Sequence, residues 1–399
     1  MSPFNPFRPT YMEDPYPTLA RLRAAEPVHW SPDLGAWVIT SYAECLRILQ
    51  DDDSFSSDPV KSGGEFGESV ARRRAESPLG AAAIMGNSDP PEHNRLRAIV
   101  NRAFTPRAIA AVRPIIGQRI DDLLERVPVS EPLEVVGNVA EPLSVMTVLD
   151  YLGFPLERAQ AVRQWSLLLM QSRAEGAAQP GLIQAARAAR EEMLRYLAML
   201  AEERDRAAEA PANVVSVLID ATSDGAMAPD EMLMMLIHIS LAGNGPTAMA
   251  IANAAWVLGR HPEAQAWLRR HPDESPAAVE ELLRFETATH FIARFALADV
   301  RIGGRTIRAG QQVHLMLGAA NRDPDRFPNP DTLDFERKDN RQLSFGHGIH
   351  FCLGAPLART ELELWVRALI DRYPDGFAVQ EMARGGSYQV RGLRRLVIS

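Results

Sequence analysis

The chain's most chemically suggestive residue is Cys352. It follows Phe345-Gly346-His347-Gly348-Ile349-His350-Phe351 and precedes Leu353-Gly354, Ala355-Pro356 and a long amphipathic run. A thiol becomes a strong metal ligand once its anion is stabilised, and a position just before a helix N-terminus supplies this through the dipole and free N–H groups. The glycines at 346, 348 and 354 allow a tight backbone and close approach of a flat group, and Phe345 and Phe351 could shield the sulfur from water. On these residues alone two readings stay open: a ligand thiolate, or a buried cysteine in a Gly-rich turn. His93 and Arg97, four apart at a predicted helix start, could clamp an anion or form a solvated basic face. Glu281 and Arg284, three apart, can pair on one helix face.

These side chains need a framework, and the apolar periodicity makes it mostly helical. A 3.6-residue period runs through Arg95 to Ala103, Ala185 to Glu203, Asp230 to Leu258, Pro276 to Arg284 and Leu357 to Tyr373. Ser275 before Pro276 reads as a capping hydroxyl followed by proline in the first turn. Hairpins are expected for Val28 to Trp30 with Trp37 to Thr40, and for Val300 to Ile302 with Thr306 to Ile307. Gln312 to Met316 and Leu396 to Ile398 are further short strands, and strands should be few and peripheral. With 399 residues, 46% of them hydrophobic, and no repeat or linker, one domain over 1–399 is expected.

A net charge of −8 argues against a nucleic-acid or anionic-membrane surface. Two cysteines fit a reducing compartment, with Cys45 expected in the core. Met1 to Pro9 is polar and Pro-rich, and no apolar stretch reads as long enough to cross a membrane, so a cytoplasmic location is expected.

The run Phe345 to Gly354, with a basic residue two before the cysteine and a glycine two after it, resembles the haem-binding loop of the cytochrome P450 family. The resemblance extends from the Asp14-Pro15-Tyr16 region to the C-terminus. It implies the mainly α cytochrome P450 fold with small β-sheets, as a single large domain. Haem b (iron protoporphyrin IX) would lie between the 345–354 loop and a central distal helix of about 230–258, with Cys352 as the metal ligand favouring O–O cleavage. His93, Arg97, Arg294 and His350 would neutralise the propionates, since an arginine fork binds carboxylate bidentately. Phe345, Gly346 and Gly354 would complete the cofactor loop. Glu281 and Arg284 match the family's structural Glu-x-x-Arg pair, and Arg326 in Asp325-Arg326-Phe327 takes the place of its third basic residue.

By the same resemblance the central helix crosses the distal face of the cofactor. Met235, Ile239, Ala242, Gly243 and Pro246 share one face by helical spacing and should line the oxygen pocket, with His238 at its border. The family's usual acid and threonine are absent: Asn244, Gly245 and Pro246 stand there. A positioned general acid–base group contributes about 10²- to 10⁴-fold in rate, so dioxygen chemistry needs a substitute. Ordered water, a substrate hydroxyl, Asn244 or His238 could supply it, or peroxide could arrive already carrying protons. Pro246 should kink the helix and release the Ala242 carbonyl. Thr247 lies about 100° around the helix from the usual alcohol.

The resemblance thus implies a monomeric haem-thiolate monooxygenase that hydroxylates or epoxidises a small organic molecule in secondary or xenobiotic metabolism. Electrons would come from a ferredoxin and ferredoxin reductase, with Arg95, Arg102, Arg107, Arg341 or Arg359 in a docking patch. One alternative is peroxide-driven oxidation, or coupling, dehydration or group transfer. Another is a haem sensor or carrier without catalysis. No nucleic-acid or membrane partner is expected. Substrate choice would rest on the 61–84 loop, Trp165 to Met170, Met235 to Ile239, Thr287 to Ile292 with Thr289, Phe291 and Ile292, and Tyr388 to Val390 with Gln389.

Overall fold

The computed structural model describes residues 4–75, 82, 84–175, 180–205 and 213–399. Residues 76–81 and 83 of the 61–84 loop therefore lie outside the described residues, as do the side chains of Ser166, Leu167 and Met170. The described helices are α1 (Pro9–Glu13), α2 (Tyr16–Ala25), α3 (Tyr42–Leu49), α4 (Gly64–Ala75), α5 (Glu92–Asn101), α6 (Pro106–Glu125), α7 (Glu141–Leu152), α8 (Ala159–Glu175), α9 (Pro180–Asp205), α10 (Val214–Ser223), α11 (Pro229–Gly259), α12 (Pro262–Arg270), α13 (Ser275–Phe285), α14 (Leu317–Ala320) and α15 (Ala355–Arg372). The strands are β1 (Val28–Ser31), β2 (Ala36–Ile39), β3 (Phe55–Ser56), β4 (Leu133–Glu134), β5 (Ile292–Ala296), β6 (Val300–Ile302), β7 (Arg305–Ile307), β8 (Gln312–Leu315), β9 (Val379–Gly386) and β10 (Arg391–Ile398). The helical dominance and both hairpins agree with the sequence.

Contacts divide the chain into two compact units. The first takes in the residues up to Asn94, Ala277–Cys352 and Gly386–Arg391. Its centre is a five-stranded sheet in the order β1-β2-β8-β5-β3. The strand β8 runs parallel to β2, with Trp37 opposite Val313, and antiparallel to β5, with Arg294 opposite Val313. Val38, Ile39, Val313 and Leu315 are fully buried, so this sheet is core and not peripheral. Cys45 packs in that core beside Ile48 and Leu49, and burial raises its thiol pKa.

The second unit comprises Arg95–Pro276, Leu353–Gly385 and Gly392–Ser399. Here α11 packs against α7, α9 and α15, and the Trp365 indole donates to the Ile251 carbonyl at 3.2 Å. An 18-residue window of α11 reaches a mean hydropathy of 1.2, which corrects the expectation that no stretch has the length and apolarity of a membrane span. Its 61% burial inside the protein is what a core helix requires.

One capping expectation fails. Ser275 is already helical, and its hydroxyl donates to the Pro272 carbonyl at 2.6 Å. A one-turn 3₁₀ helix, Pro272–Glu274, leads straight into α13 and leaves no extended capping position.

Candidate functional site

The cysteine loop is built from backbone constraints. Gly346 and Gly348 have φ of +69° and +73°, and a Cβ on Gly348 would lie 2.2 Å from the Leu49 carbonyl oxygen. Only glycine fits there. The Cys352 N–H donates to the Phe345 carbonyl at 3.0 Å, which closes the turn three residues before α15. Asn321 anchors its start, accepting from the Leu343 N–H at 2.7 Å and donating to the Ser344 hydroxyl at 2.8 Å. Phe345 and Phe351 meet edge to face with centroids 6.4 Å apart, but Phe351 is 37% exposed, so the aromatic shield is partial. A Cβ on Gly354 would meet nothing within 4 Å. Among the described residues no group of three or more His, Cys, Asp or Glu could hold a metal. A metal on Cys352 would then take most of its ligands from a cofactor.

Next to this loop the first unit gathers basic side chains. His93, on α5, and His350 have ring centroids 4.2 Å apart. His93 is buried; its Nδ1 lies 3.1 Å from Asn94 Oδ1, and its Nε2 has no hydrogen-bond partner among the described residues. Arg294, on β5, is 5% exposed and donates to the Ala293 carbonyl at 2.9 Å. Burial pushes its pKa down to about 10, against the favourable fields of Asp52 and Asp89. Asp89 is itself held by the Ser56 hydroxyl at 2.5 Å and the Ser57 N–H at 3.0 Å. Burial also raises the Asp52 carboxyl, although Arg294 and His93 oppose that shift. Arg97, one turn beyond His93 on α5, donates to Asn101 Oδ1 at 3.1 Å. The buried Arg294 guanidinium and the buried His93 ring suit the propionates of a carboxylate-bearing cofactor such as haem.

The Glu281 network corrects one expected residue. Glu281 and Arg284 are fully buried and joined by two 2.7 Å bonds. Arg284 also donates to the carbonyls of Asn321, Pro330 and Thr332 at 2.8–3.1 Å. The second arginine on Glu281 is Arg337, at 3.2 Å, and not Arg326. Arg326 instead pairs with Asp339 at 2.6 Å and lies 5.3 Å over the Tyr42 ring. The chain turns after Phe327 and returns to Glu281 only near Asp334, whose N–H donates to the carboxylate at 2.9 Å. Asp334-Phe335-Glu336-Arg337 was the available signal, an arginine closing the same loop nine residues after Pro328.

On α11, Ala242 is exposed, Pro246 and Thr247 are half-buried, and Asn244 is 4% exposed. Gly243 faces α7, since a Cβ there would lie 2.5 Å from Val148 Cγ2. Met235 and Ile239 are buried within the unit, so of the expected pocket face Ala242 and Pro246 remain, and Thr247 and His238 beside that face are half-buried. The helix continues through Pro246. No sequence signal marks Ser144 on α7, whose hydroxyl donates to the Asn244 carbonyl at 2.7 Å and lies 3.1 Å from that of Gly243.

The other expected pocket residues separate. Ile292 Cδ1 would lie 3.3 Å from a Cβ on Gly346, beside the cysteine loop. Phe291 is instead core: it stacks on His314 at 4.3 Å and meets Tyr388 at 4.5 Å, because neighbouring residues at a strand point to opposite faces. Thr289 bridges Val390, and Gln389 is exposed with its carbonyl accepting the His290 N–H at 2.8 Å. Of the expected docking arginines, Arg102 and Arg107 are exposed, Arg359 is half-buried, Arg341 pairs with Asp339, and Arg95 binds Glu231 and the Ala226 carbonyl.

The family model described as Cytochrome P450 matches residues 275–375, which span Glu281, Arg294 and Cys352. The 6-deoxyerythronolide B hydroxylase of Saccharopolyspora erythraea is 35% identical, covering 96% of each chain. The crystal structure of CalO2 superposes with a TM-score of 0.92 at 30% identity, covering 100% of this chain and 99% of that one. The cytochrome P450 enzyme CxnD, described for C–S bond formation in chuangxinmycin biosynthesis, gives a TM-score of 0.88 at 30% identity and covers 99% and 96%. The chain belongs to the cytochrome P450 family of haem-iron monooxygenases.

Proposed function

We propose that this cytochrome P450 inserts oxygen into a small, largely apolar organic molecule by hydroxylation or epoxidation, with haem b held through Cys352. The observation that carries this is the tightly closed Phe345–Cys352 turn beside the buried His93 and Arg294 and the half-buried His350. When bound, a haem with a thiolate ligand supplies oxidising chemistry beyond the reach of any side chain. The chain's own work is to place and neutralise it. The backbone of Gly346 and Gly348 fixes the cysteine, Arg294 and the two histidines offer donors to propionates, and the Glu281 network stiffens the segment leading into the loop. On α11, Ala242 and Pro246 are the residues we assign to substrate and oxygen, with Thr247 beside them. Electrons would come from a ferredoxin and its reductase, and the enzyme would work as a cytoplasmic monomer.

A second reading is favoured by Gly245-Pro246 and by Asn244, whose side chain is buried. With no acid–alcohol pair on α11, proton supply would have to come from elsewhere, and peroxide brings its own. Coupling, dehydration or group transfer would also ease that demand. Product formation with peroxide is to be compared with that from a ferredoxin system and NADPH on the same substrate. Tight coupling of NADPH to a hydroxylated product supports the first reading, and turnover with peroxide alone supports the second.

A further inference from the structure

The inward stripe of α9 is apolar: Ala186, Ala189, Met193 and Leu197 are all at most 5% exposed. Arg190 interrupts it, four residues after Ala186 and three before Met193. Its Nη2 lies 3.6 Å from the sulfur of Met234 on α11, a residue only 6% exposed. Arginine side chains ordinarily carry their charged ends out to water. This one turns its guanidinium inward, onto a thioether that is a weak acceptor for a group with five N–H donors. Among the described residues no carboxylate pairs with it, and burial lowers its pKa with no acidic neighbour opposing the shift. A half-buried cation with no counter-ion among the described residues carries a desolvation cost that a bound anion would remove.

We propose that Arg190 is a specificity-determining residue that binds a carboxylate on the substrate, which would be an amphipathic acid with an apolar body. This rests on the monooxygenase reading above. The axial rise of a helix sets the scale: from Met234 to Ala242 is about 12 Å, and to Pro246 about 18 Å. The oxidised carbon should therefore lie roughly 12–18 Å from the carboxylate, toward the far end of a medium-length chain. His238, one turn after Met234, lies along the same path.

The test is spectral titration of the haem-loaded ferric protein with decanoate, dodecanoate and tetradecanoate, each against its methyl ester. A charge-assisted hydrogen bond corresponds to about a 10- to 100-fold preference for the best acid over its ester. Arg190→Leu should bring acid and ester to parity while leaving ester affinity unchanged, and Arg190→Lys should retain part of the preference. Equal affinities in the wild-type protein, failure of every acid to bind at millimolar concentration, or unchanged acid affinity in Arg190→Leu would overturn the proposal. The reduced carbon monoxide spectrum of the same wild-type sample separates the two levels. A missing thiolate band sinks the monooxygenase reading, whereas a normal band without acid preference sinks only the anion site.

Discussion

Replacing Glu361 with glutamine should remove a large part of the stability that the protein loses as pH rises from about 5 to about 8. Glu361 lies on α15, 2% exposed, and its Oε1 has no hydrogen-bond partner among the described residues. Burial pushes its carboxyl from the ordinary 4.5 up to about 8, and the Thr147 hydroxyl pulls the other way without overcoming it. The sign follows from proton counting. Above 4.5 the unfolded chain has released this proton while the native state still holds it, so native stability falls as pH rises from 4.5 to 8 and then levels off. Between about pH 5 and pH 9 the loss amounts to roughly 4 kcal/mol from this one group. Glutamine keeps the shape of the neutral acid and cannot ionise. Urea unfolding of the haem-loaded protein, followed by tryptophan fluorescence, should give similar stabilities near pH 5 and a variant advantage that grows up to about pH 8 and then levels off. All other titrating groups are common to both proteins and cancel in the difference. Parallel pH curves would refute the reasoning.

Arg337→Ala should cost about 2–3 kcal/mol in the same unfolding assay, because it removes charge-assisted bonds from the buried Glu281 carboxylate. Arg326→Ala should stay within about 1 kcal/mol, since its partner Asp339 is half-exposed; the reverse order would restore Arg326 to the network. Combining Gly245→Asp with Pro246→Thr supplies an acid and an alcohol on α11. Dioxygen-driven product formation should then rise, by about 10- to 100-fold if proton delivery limits the rate. No change or a fall, measured as product per NADPH, would mean that the native turn already has a proton route.

The cysteine loop was legible because its constraints are local: glycines at fixed offsets, one thiol, and a proline opening the next helix. Long helices were legible for a similar reason, their apolar period persisting over many turns. The strand β5 was not, since Ile292-Ala293-Arg294-Phe295-Ala296 places an arginine within a short apolar run and its burial depends on β8 and β3 on either side. The resemblance points to Arg326 while Arg337 makes the bond, because sequence distance says little about which arm of a loop folds back onto Glu281. Ser144 and Glu361 are ordinary residues of amphipathic helices until packing removes their water. Phe291 falls in the 287–292 stretch that the resemblance assigns to substrate choice, but its ring packs on His314 and Tyr388 while its neighbour Ile292 lies beside the cysteine loop.

The central claim is that Cys352 holds a haem iron as its thiolate ligand. The most direct measurement is the absorption spectrum of the dithionite-reduced protein under carbon monoxide, for the wild type and for Cys352→Ser. The wild type should show the red-shifted Soret band of a thiolate-ligated haem, and Cys352→Ser should lose it even where haem is retained. A wild-type spectrum without that band, or a variant that keeps it, would contradict the assignment.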